Sequence, residues 1–480
     1  MDVNVSGKLG KTEMACYFIT EERAKDIKAG KAAVPKPIKE LIKAGDFSGK
    51  DDQAEKITGD GISKRILVIG LGKTKDVDTE TIRKVSCEAA REGSTLKLKE
   101  MTIVADAKVN DAVAAVAEGA ILGVYKFDKY KEKKKDKVKL LNIVSGSASA
   151  KQEAQRAKTI AEGTNMAREW VNEVSDVLNP VAVAELAVKL GKQHGFGVKV
   201  LDEKQLKKLG MNLFLGVAAG SRFPARLVLL EYKGSKDKPV AIVGKGVTFD
   251  SGGLNLKPSG FIETMKMDKG GAMTILATVV TLARLKAKVN VIGAMGMVEN
   301  MIGPNATKPG DIIKGYSGKT VEIGDTDAEG RLVLADTLAY LSKNYKPKLM
   351  VDLATLTGSV LITFGEYVAA SMGTDKGAAD GLFKAGQRTY ERVWELPLYK
   401  EYDEEMKGTI SDITNLGYKQ GRYAGSITAG AFLKKFVGKT PWVHIDIAGT
   451  AWYEKPRGYI PVGATGFGVR LLTEFLTAKG

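Results

Sequence analysis

The stretch PVAIVGKGVTF, residues 239–249, is apolar at most positions and runs directly into Asp250. Strands exposed on one face alternate apolar and polar residues, whereas strands covered on both faces are apolar almost throughout. The stretch therefore predicts a central β-strand with helices packed on both faces of its sheet. Lys245 within the run and Asp250 at its end are charged residues, which buried strands seldom contain. They are the first candidates for a functional site.

Similar runs on both sides of this stretch predict the rest of the sheet. The runs with strand character lie at residues 226–232, 289–300, 348–355 and 442–449. Segments with helical periodicity separate most of these runs, notably at residues 264–285 and 331–343. Strands that alternate with helices are typical of α/β proteins. The sequence thus predicts a large C-terminal α/β domain in which helices flank a central mixed sheet.

The N-terminal third predicts a second, smaller α/β domain. Strand-like runs occur at residues 65–72 and 101–107, and a segment with helical spacing, residues 81–93, lies between them. A long helical segment follows, and then Asn179 and Pro180 match the cap and the first turn of another helix. We therefore divide the chain into a domain at residues 1–150, a linking helix at 151–175 and a larger domain at 176–480.

Composition argues against several classes of protein. The chain has 480 residues, 44% of them hydrophobic, and no run of 18 apolar residues that would predict a membrane span. Its start lacks the apolar core of a signal peptide, and Cys16 and Cys87 do not suggest a disulfide framework. A cytoplasmic location is expected. Because His194 and His444 are the only histidines, an HExxH zinc site is impossible, and a metal site would need oxygen ligands with at most an amine.

The net charge of +16 raises the alternative of a nucleic-acid partner. The positive charge is denser in the N-terminal third, where the run YKEKKKDKVK covers residues 130–139. No aromatic or arginine-rich pattern accompanies the run, so a solvated lysine-rich loop is the favoured interpretation. Nucleic-acid binding stays open as an additional role of this region.

Acidic residues lie where predicted strands end, which is where open α/β sheets bind ligands. Besides Asp250, they are Asp268 in the stretch ETMKMDKGGA, and Asp327 and Glu329 in the stretch GDTDAEGRLVLAD. In an extended segment Asp327 and Glu329 would project to the same side. Four carboxylates in one place would repel each other, but two divalent cations would neutralise them and could activate a water molecule. Oxygen ligands suit Mn(II), Mg(II) or Zn(II), although each acid could instead be a surface or capping residue.

Four motifs carry a resemblance to the leucyl aminopeptidases, also called cytosol aminopeptidases. They are VGKGVTFDSGGLNLK at residues 243–257, MKMDKGGA at 265–272, DTDAEGRL at 325–332 and DLATLTG at 352–358. The resemblance covers roughly residues 165–475 and is weak in the N-terminal third. Members of this family are two-metal enzymes that remove N-terminal residues from peptides. The resemblance implies an exopeptidase that prefers Leu-like or other apolar first residues, and a dipeptidase such as a cysteinylglycinase is the alternative.

The resemblance assigns metal ligands by position. Five residues would ligate two divalent ions, manganese or zinc, and they are Lys245, Asp250, Asp268, Asp327 and Glu329. In the family pattern Asp250 and Glu329 bridge both ions. Asp327 completes the more exchangeable site, and Lys245 and Asp268 complete the tighter one. Nearby dications would favour the neutral amine of Lys245, although a buried salt bridge is the alternative role for this lysine.

The resemblance also assigns catalytic and substrate-binding residues. Lys257 would stabilise the negative charge that develops on the substrate oxygen. Arg331 would hold a bicarbonate ion that shuttles protons, and an arginine at a helix start paired with an acid is the alternative. The side-chain pocket maps to small or apolar positions, namely Met265, Thr355, Gly358, Ala448 and Ala451. Met265 and Ala448 could equally be core positions.

Two further points follow from the family pattern. The family assembles as hexamers, so the resemblance implies a homohexamer that acts on peptides, with no membrane attachment. Asp325 departs from the pattern, because the motif usually has asparagine at this position. The added negative charge could tighten metal binding or alter the contact with the substrate backbone.

Overall fold

The computed structural model describes residues 1–105, 111–132, 137–417 and 423–478. The chain divides into two compact units. One comprises Met1–Asn165 with Lys455–Pro461, and the other comprises Met166–Glu454 with Val462–Gly480. Each unit contains a β-sheet packed against helices, so the predicted pair of α/β domains, with the second one larger, is confirmed. The boundaries predicted near residues 150 and 175 stay a prediction.

The first unit is built on a six-stranded sheet. Its strands are β1 (Asp2–Ser6), β2 (Thr12–Ile19), β3 (Ala54–Thr58), β4 (Ser63–Gly70), β5 (Glu100–Val104) and β6 (Leu140–Val144). Its helices are α1 (Glu21–Lys28), α2 (Lys36–Ala44), α3 (Thr79–Thr95), α4 (Ala112–Gly123) and the part of α5 (Ala150–Asn172) that precedes Met166, with a 3-10 turn at Thr74–Asp76. The order is β1-β6-β5-β2-β4-β3, and only β3 pairs antiparallel among these described strands. The predicted strands at 65–72 and 101–107 correspond to β4 and β5, although residues 106–107 lie outside the described part.

The second unit contains the remaining elements. Its strands are β7 (Gly197–Leu201), β8 (Arg226–Lys233), β9 (Val240–Asp250), β10 (Asn290–Asn300), β11 (Ile312–Lys314), β12 (Thr320–Glu322), β13 (Leu349–Ala354), β14 (Ala369–Gly373), β15 (Val393–Glu395), β16 (Ile413–Thr414), β17 (Trp442–Asp446), β18 (Trp452–Tyr453) and β19 (Gly463–Ala464). Its helices are α6 (Pro180–His194), α7 (Glu203–Leu209), α8 (Asn212–Ala218), α9 (Gly270–Leu285), α10 (Gly330–Asn344), α11 (Ser359–Phe364), α12 (Lys376–Thr389), α13 (Lys400–Glu404), α14 (Gly425–Lys434) and α15 (Val469–Thr477).

An eight-stranded mixed sheet forms the middle of the second unit, in the order β15-β14-β17-β13-β9-β10-β8-β7. Its central strands β17, β13, β9 and β10 are parallel to one another, so their carboxyl ends open at one edge. Helices α6, α9 and α15 pack against one face and α8, α10 and α14 against the other, each with its own apolar core. The central mixed sheet flanked by helices is confirmed, and burial on both faces explains why residues 239–249 are nearly all apolar.

The junction of β9 and α9 requires glycine at two positions. A Cβ atom on Gly244 would lie 2.5 Å from the backbone of Ala272, and one on Gly271 would lie 2.2 Å from the carbonyl oxygen of Leu353. These distances are far below van der Waals contact, so side chains there would push the helix away from the close-packed sheet. The two glycines therefore allow the start of α9 to sit directly on β9 and β13, beside Lys245.

The predicted helix at residues 264–285 is wrong in its first turns. Residues Ile262–Lys269 form a 3-10 helix, and the α-helix begins only at Gly270. The change of geometry falls at two adjacent glycines, Gly270 and Gly271, which are the first residues of the α-helix. The tighter segment carries Asp268 into the interior, where only 2% of the residue is exposed.

The predicted start of α6 is confirmed. The side-chain oxygen of Asn179 accepts hydrogen bonds from the backbone N–H groups of Val181 (3.1 Å) and Ala182 (3.1 Å), and Pro180 occupies the first turn. Both residues perform the roles that their types favour at a helix start.

The acceptor at the start of α8 comes from another helix. Asp336 on α10 is fully buried, and its carboxylate accepts from the backbone N–H groups of Phe214 (3.1 Å) and Tyr316 (2.8 Å). It supplies the acceptor that Met211, which precedes α8, cannot provide. Sequence spacing does not reveal this contact, because Asp336 and Phe214 are 122 positions apart.

Asp336→Ala is expected to destabilise the second unit by about 2–6 kcal/mol, because one buried and one partly buried N–H group lose their acceptor at about 1–3 kcal/mol each. Urea unfolding followed by circular dichroism measures the change. Asp380→Ala is the matched control, since Asp380 is exposed and pairs with Lys376 at the surface of α12. We expect no measurable shift for the control. Equal unfolding midpoints for the two variants would refute the capping role of Asp336.

Three smaller predictions from composition can be compared with the structure. None of the helices in the described ranges combines the length and the apolar composition needed to cross a bilayer. Cys16 and Cys87 are buried cysteines that are not joined in a disulfide. Residues 133–136 of the lysine-rich run lie outside the described part, so its interpretation as a solvated loop stays a prediction.

Candidate metal centre

Charged side chains converge at the carboxyl ends of the central strands. Lys245 and Asp250 lie on β9, and Asp268 lies in the 3-10 segment before α9. Asp327 and Glu329 lie directly before α10. The five residues predicted as metal ligands, which are distant in the sequence, are linked by ion pairs and short carboxylate distances at one edge of the sheet.

Lys245 lies at the inner end of this cluster, and only 3% of it is exposed. Its Nζ atom is 2.8 Å from Asp268 Oδ1 and 2.8 Å from Glu329 Oε1, and it donates to the carbonyl oxygen of Thr355 at 2.8 Å. Burial by itself lowers the pKa of Lys245, but the surrounding carboxylates outweigh it and raise the pKa above its usual range. The alternative salt-bridge role describes these contacts, and the role as a metal ligand stays a prediction.

Lys257 lies at the outer end of the cluster, with 14% of its side chain exposed. Its Nζ atom is 2.9 Å from Asp250 Oδ2 and also contacts Asp327 Oδ1. Burial opposes the charged form, but the charges of the nearby carboxylates outweigh it and raise the pKa of Lys257. The ammonium group is therefore charged at neutral pH and faces the same point as the carboxylates.

Asp250 is held by donors outside the predicted site. Its Oδ1 accepts from the backbone N–H of Gly252 (2.9 Å) and from Nδ2 of Asn300 (2.8 Å). Asn300 ends β10, the strand beside β9, and also donates to the carbonyl oxygen of Thr326 (3.1 Å). The signal that identifies Asp250, a polar residue at the carboxyl end of an apolar strand, applies equally to Asn300.

The acidic motif before α10 forms a turn rather than the predicted extended segment. The N–H of Ala328 donates to the carbonyl oxygen of Asp325 (3.3 Å), and Glu329 has near-helical dihedral angles, φ −79° and ψ −37°. Alternation along a strand is therefore the wrong reason for the convergence of Asp327 and Glu329. The turn brings the carboxylates together instead, and one oxygen each of Asp250, Asp327 and Glu329 lies within 4.8 Å of the other two.

Asp325, the departure from the motif, stabilises this turn. Its Oδ1 accepts from the backbone N–H of Asp327 at 2.8 Å. An asparagine would offer the same acceptor oxygen, so aspartate at this position preserves the hydrogen bond. Asn415 binds the start of the turn. Its Oδ1 accepts from the N–H of Gly324 (2.7 Å), and its Nδ2 donates to the carbonyl oxygen of Asp325 (2.7 Å). The effect of the added charge on metal or substrate stays a prediction.

Arg331 lies in the first turn of α10 and is buried. One of its terminal nitrogens donates to the carbonyl oxygen of Asn415 (2.8 Å), whereas its Nε has no hydrogen-bond partner among the described residues. Burial lowers the pKa of Arg331 to about 10, which leaves the guanidinium charged at neutral pH. A buried guanidinium with an unused donor is suited to bind an anion.

The cluster contains more acid than base. Four carboxylates face two ammonium groups, so the carboxylates outnumber the ammonium groups by two. Burial and mutual repulsion raise the pKa of Asp327 to about 7 and also raise the pKa values of Asp268 and Glu329. Asp268 Oδ2 is buried without a hydrogen-bond partner within the described ranges. Hard oxygen donors, excess negative charge and an unused acceptor fit the binding of divalent cations.

Two of the five predicted pocket residues lie together beside the cluster. A Cβ atom on Gly270 would lie 3.6 Å from Thr355 Cγ2 and 3.8 Å from Ala451 Cβ, so glycine leaves a space next to both side chains. Thr355 also donates its hydroxyl to Asp268 Oδ1 at 2.5 Å. The others differ in environment, with Gly358 exposed, Met265 partly buried and Ala448 packed on a small apolar cluster. A shared role of all five in one pocket stays a prediction.

Two family models match this chain. The model described as the catalytic domain of the cytosol aminopeptidase family matches residues 165–473. The model of the N-terminal domain of the same family matches residues 19–134. The second match extends the similarity into the region where the sequence motifs are weak.

Individual proteins give a consistent result. A protein named probable cytosol aminopeptidase from Brucella melitensis is 44% identical over 454 residues, which cover 90% of this chain and 92% of that protein. A protein of the same name from Aquifex aeolicus is 40% identical over 474 residues, which cover 97% of this chain and 95% of that protein. Among solved structures, the bottromycin maturation enzyme BotP in complex with Mn has a TM-score of 0.88 and 31% identity, and the match covers 97% of this chain and 99% of that chain.

Proposed function

Because the chain belongs to the cytosol aminopeptidase family and is an aminopeptidase, we propose that it removes N-terminal residues with Leu-like or other apolar side chains. The site would hold two divalent ions, Mn(II) or Zn(II). The observation that carries this proposal is the cluster of four carboxylates, three of them buried and Asp327 partly exposed, around only two lysines. Such a cluster favours further positive charge, and its oxygen donors match those of two-metal hydrolytic sites.

Five side chains would hold the ions. The bridging ligands would be Asp250 and Glu329, with Asp327 completing one site and Lys245 and Asp268 completing the other. The unused, buried Oδ2 atom of Asp268 supports its role as a ligand. Bound divalent ions supply positive charge that polarises a carbonyl group and makes a water molecule nucleophilic at neutral pH. Lys245 would ligate as a neutral amine, which nearby dications favour.

Lys257 and Arg331 would act on the reacting groups. The Lys257 ammonium is already fixed by Asp250 and Asp327, so it can stabilise an oxygen that becomes negatively charged without first being reoriented. Arg331 would hold a bicarbonate ion through its unused Nε donor and so place a proton acceptor next to the substrate.

The apolar preference rests on the small and apolar residues proposed for the pocket, which are Met265, Thr355, Gly358, Ala448 and Ala451. The space that Gly270 leaves beside Thr355 and Ala451 supports this position for the substrate side chain. Discrimination among aliphatic side chains should be loose, since one methylene is worth about 1–3 kcal/mol. A dipeptidase such as a cysteinylglycinase would use the same site, so relative rates on different substrates have to separate the two functions.

We also propose a homohexamer in the cytoplasm that acts on peptides without membrane attachment. Family membership supports the assembly and the location, and light scattering measures the subunit number. Nucleic-acid binding by the lysine-rich region is the less favoured additional role. Salt-dependent retention of duplex DNA by the intact protein would support that role, and a lack of retention at low salt would remove it.

Chelation of divalent ions is expected to abolish hydrolysis of leucyl-p-nitroanilide, and added Mn(II) or Zn(II) should restore it, because the nucleophile depends on the ions. Elemental analysis should find two ions per subunit in the active protein. Rates on cysteinylglycine and on leucyl dipeptides, measured with the same preparation, distinguish the aminopeptidase from the dipeptidase. Full activity in the stripped protein would contradict the two-metal proposal.

A further inference from the structure

Several polar side chains interrupt the apolar face of the sheet that packs against α10 and α14. Trp442, His444 and Asp446 alternate along β17 and therefore project to the same face, whose core includes residues of α10 and α14. His444 and Asp446 are fully buried. Buried charge is costly unless its polar atoms are bonded, so the partners of these residues indicate what they do.

Trp442 and His444 are bonded to the neighbouring strand. His444 Nδ1 is 2.6 Å from Asp352 Oδ1, and Trp442 Nε1 donates to Asp352 Oδ2 at 2.6 Å. Asp352 lies opposite His444 in the parallel pairing of β13 with β17. These contacts join β13 to β17. Asp446 is the last residue of β17, beside the end of β13.

The carboxylate of Asp446 binds the loop that joins β13 to α11. Its Oδ1 accepts from the backbone N–H groups of Leu356 (3.1 Å) and Thr357 (3.4 Å), and its Oδ2 accepts from the Thr357 hydroxyl at 2.6 Å. Oδ1 also accepts from the N–H of Ala448 (3.2 Å). The Thr357 hydroxyl oxygen lies 2.7 Å from Oγ of Ser426, at the start of α14. Three donors of the loop on one buried carboxylate fix the course of this loop.

The same loop touches the metal cluster through its first residue. The carbonyl oxygen of Thr355 accepts from Lys245 Nζ at 2.8 Å, and the Thr355 hydroxyl donates to Asp268 Oδ1 at 2.5 Å. Lys245 and Asp268 are the two residues proposed to complete one of the metal sites. The hydrogen bonds of Asp446 described above go to the loop and to Ala448, so Asp446 reaches Lys245 and Asp268 through the loop. Its charge also acts on Arg331.

We propose that Asp446 is a positioning residue that holds the loop at residues 355–358 and thereby sets the positions of Lys245 and Asp268. The inference rests on the proposed two-metal function. The Thr357 hydroxyl is the second part of the anchor. A displacement of about 1 Å at a reacting centre can cost about 100-fold in rate. A loosened loop should therefore weaken one metal site and lower kcat together.

The experiment compares Asp446→Ala, Thr357→Val and Thr357→Ser with the unsubstituted full-length protein. Calorimetric titration of the stripped proteins with Mn(II) measures metal affinity, and kinetics on leucyl-p-nitroanilide give kcat and KM separately. We expect Asp446→Ala and Thr357→Val to weaken one of the two Mn(II) sites and to lower kcat at least about tenfold. Thr357→Ser keeps the hydroxyl donor and should recover most of both.

Thr281→Val is the matched control, because Thr281 is a fully buried threonine on α9 whose hydroxyl donates within its own helix. It should change neither Mn(II) affinity nor kcat. If Asp446→Ala fails to fold, the two Thr357 variants decide the question. Unchanged kcat and Mn(II) affinity in Thr357→Val, or equal losses in Thr357→Val and Thr357→Ser, would overturn the positioning role. An unsubstituted protein that binds no Mn(II) and cleaves no substrate would instead contradict the proposed function.

Discussion

Lys257→Ala is expected to lower kcat on leucyl-p-nitroanilide by about 10²–10³-fold, the usual effect of removing one preorganised group that stabilises a developing oxyanion. The Lys257 ammonium contacts Asp250 and Asp327 and is partly exposed at the outer end of the cluster, so it can face the substrate oxygen. The change should leave the metal content near two ions per subunit. Steady-state kinetics and elemental analysis of the same preparation measure both quantities.

Two further variants distinguish a catalytic role of Lys257 from a role in charge balance. Lys257→Arg keeps the charge with a different geometry and should recover only part of kcat. Lys308→Ala removes an exposed lysine that pairs with Asp311 at the surface, and it should have normal kinetics. If Lys257→Ala retained more than about a tenth of kcat, the lysine would serve only to balance the charge of the cluster.

Asp268→Ala is expected to reduce the metal content from two ions to one and to lower kcat/KM by about 10³-fold or more, since a metal ion supplies several kcal/mol of transition-state stabilisation. The protein should still fold. Removal of one partner of a buried ion pair can cost about 3–5 kcal/mol, but Lys245 keeps its contact with Glu329 at 2.8 Å. The cluster also loses part of its excess negative charge, which reduces the cost further.

Matched variants separate ligand loss from loss of fold. Asp268→Asn keeps the shape and an acceptor for the Thr355 hydroxyl but removes the charge, so we expect weak binding of the second ion. Asp311→Ala removes a surface carboxylate paired with Lys308 and should retain both ions. Calorimetry with Mn(II) and urea unfolding provide the two measurements. Two tightly bound ions in Asp268→Ala would rule out Asp268 as a ligand.

The sequence determined those features that depend on local composition. The apolar run at residues 239–249 predicts a strand covered on both faces, because only burial on both sides favours such a composition. Asn179 and Pro180 predict the start of α6, because their chemistry suits the backbone groups of a first turn. Polar residues at strand ends predict where the site lies, because parallel strands end at the same edge of a sheet. The family resemblance, rather than spacing, selected the residues of that site.

Only the tertiary structure determined which polar groups from distant parts of the sequence form hydrogen bonds with each other. The turn before α10, rather than strand alternation, brings Asp327 and Glu329 to one point. Asp336 caps a helix far away in the sequence, and Asp446 binds a loop that reaches the metal cluster. A hydrogen bond forms only when two groups come within about 3 Å. The local sequence pattern predicts whether a residue favours burial. It does not predict how close two segments lie when they are distant in the sequence and the fold brings them together.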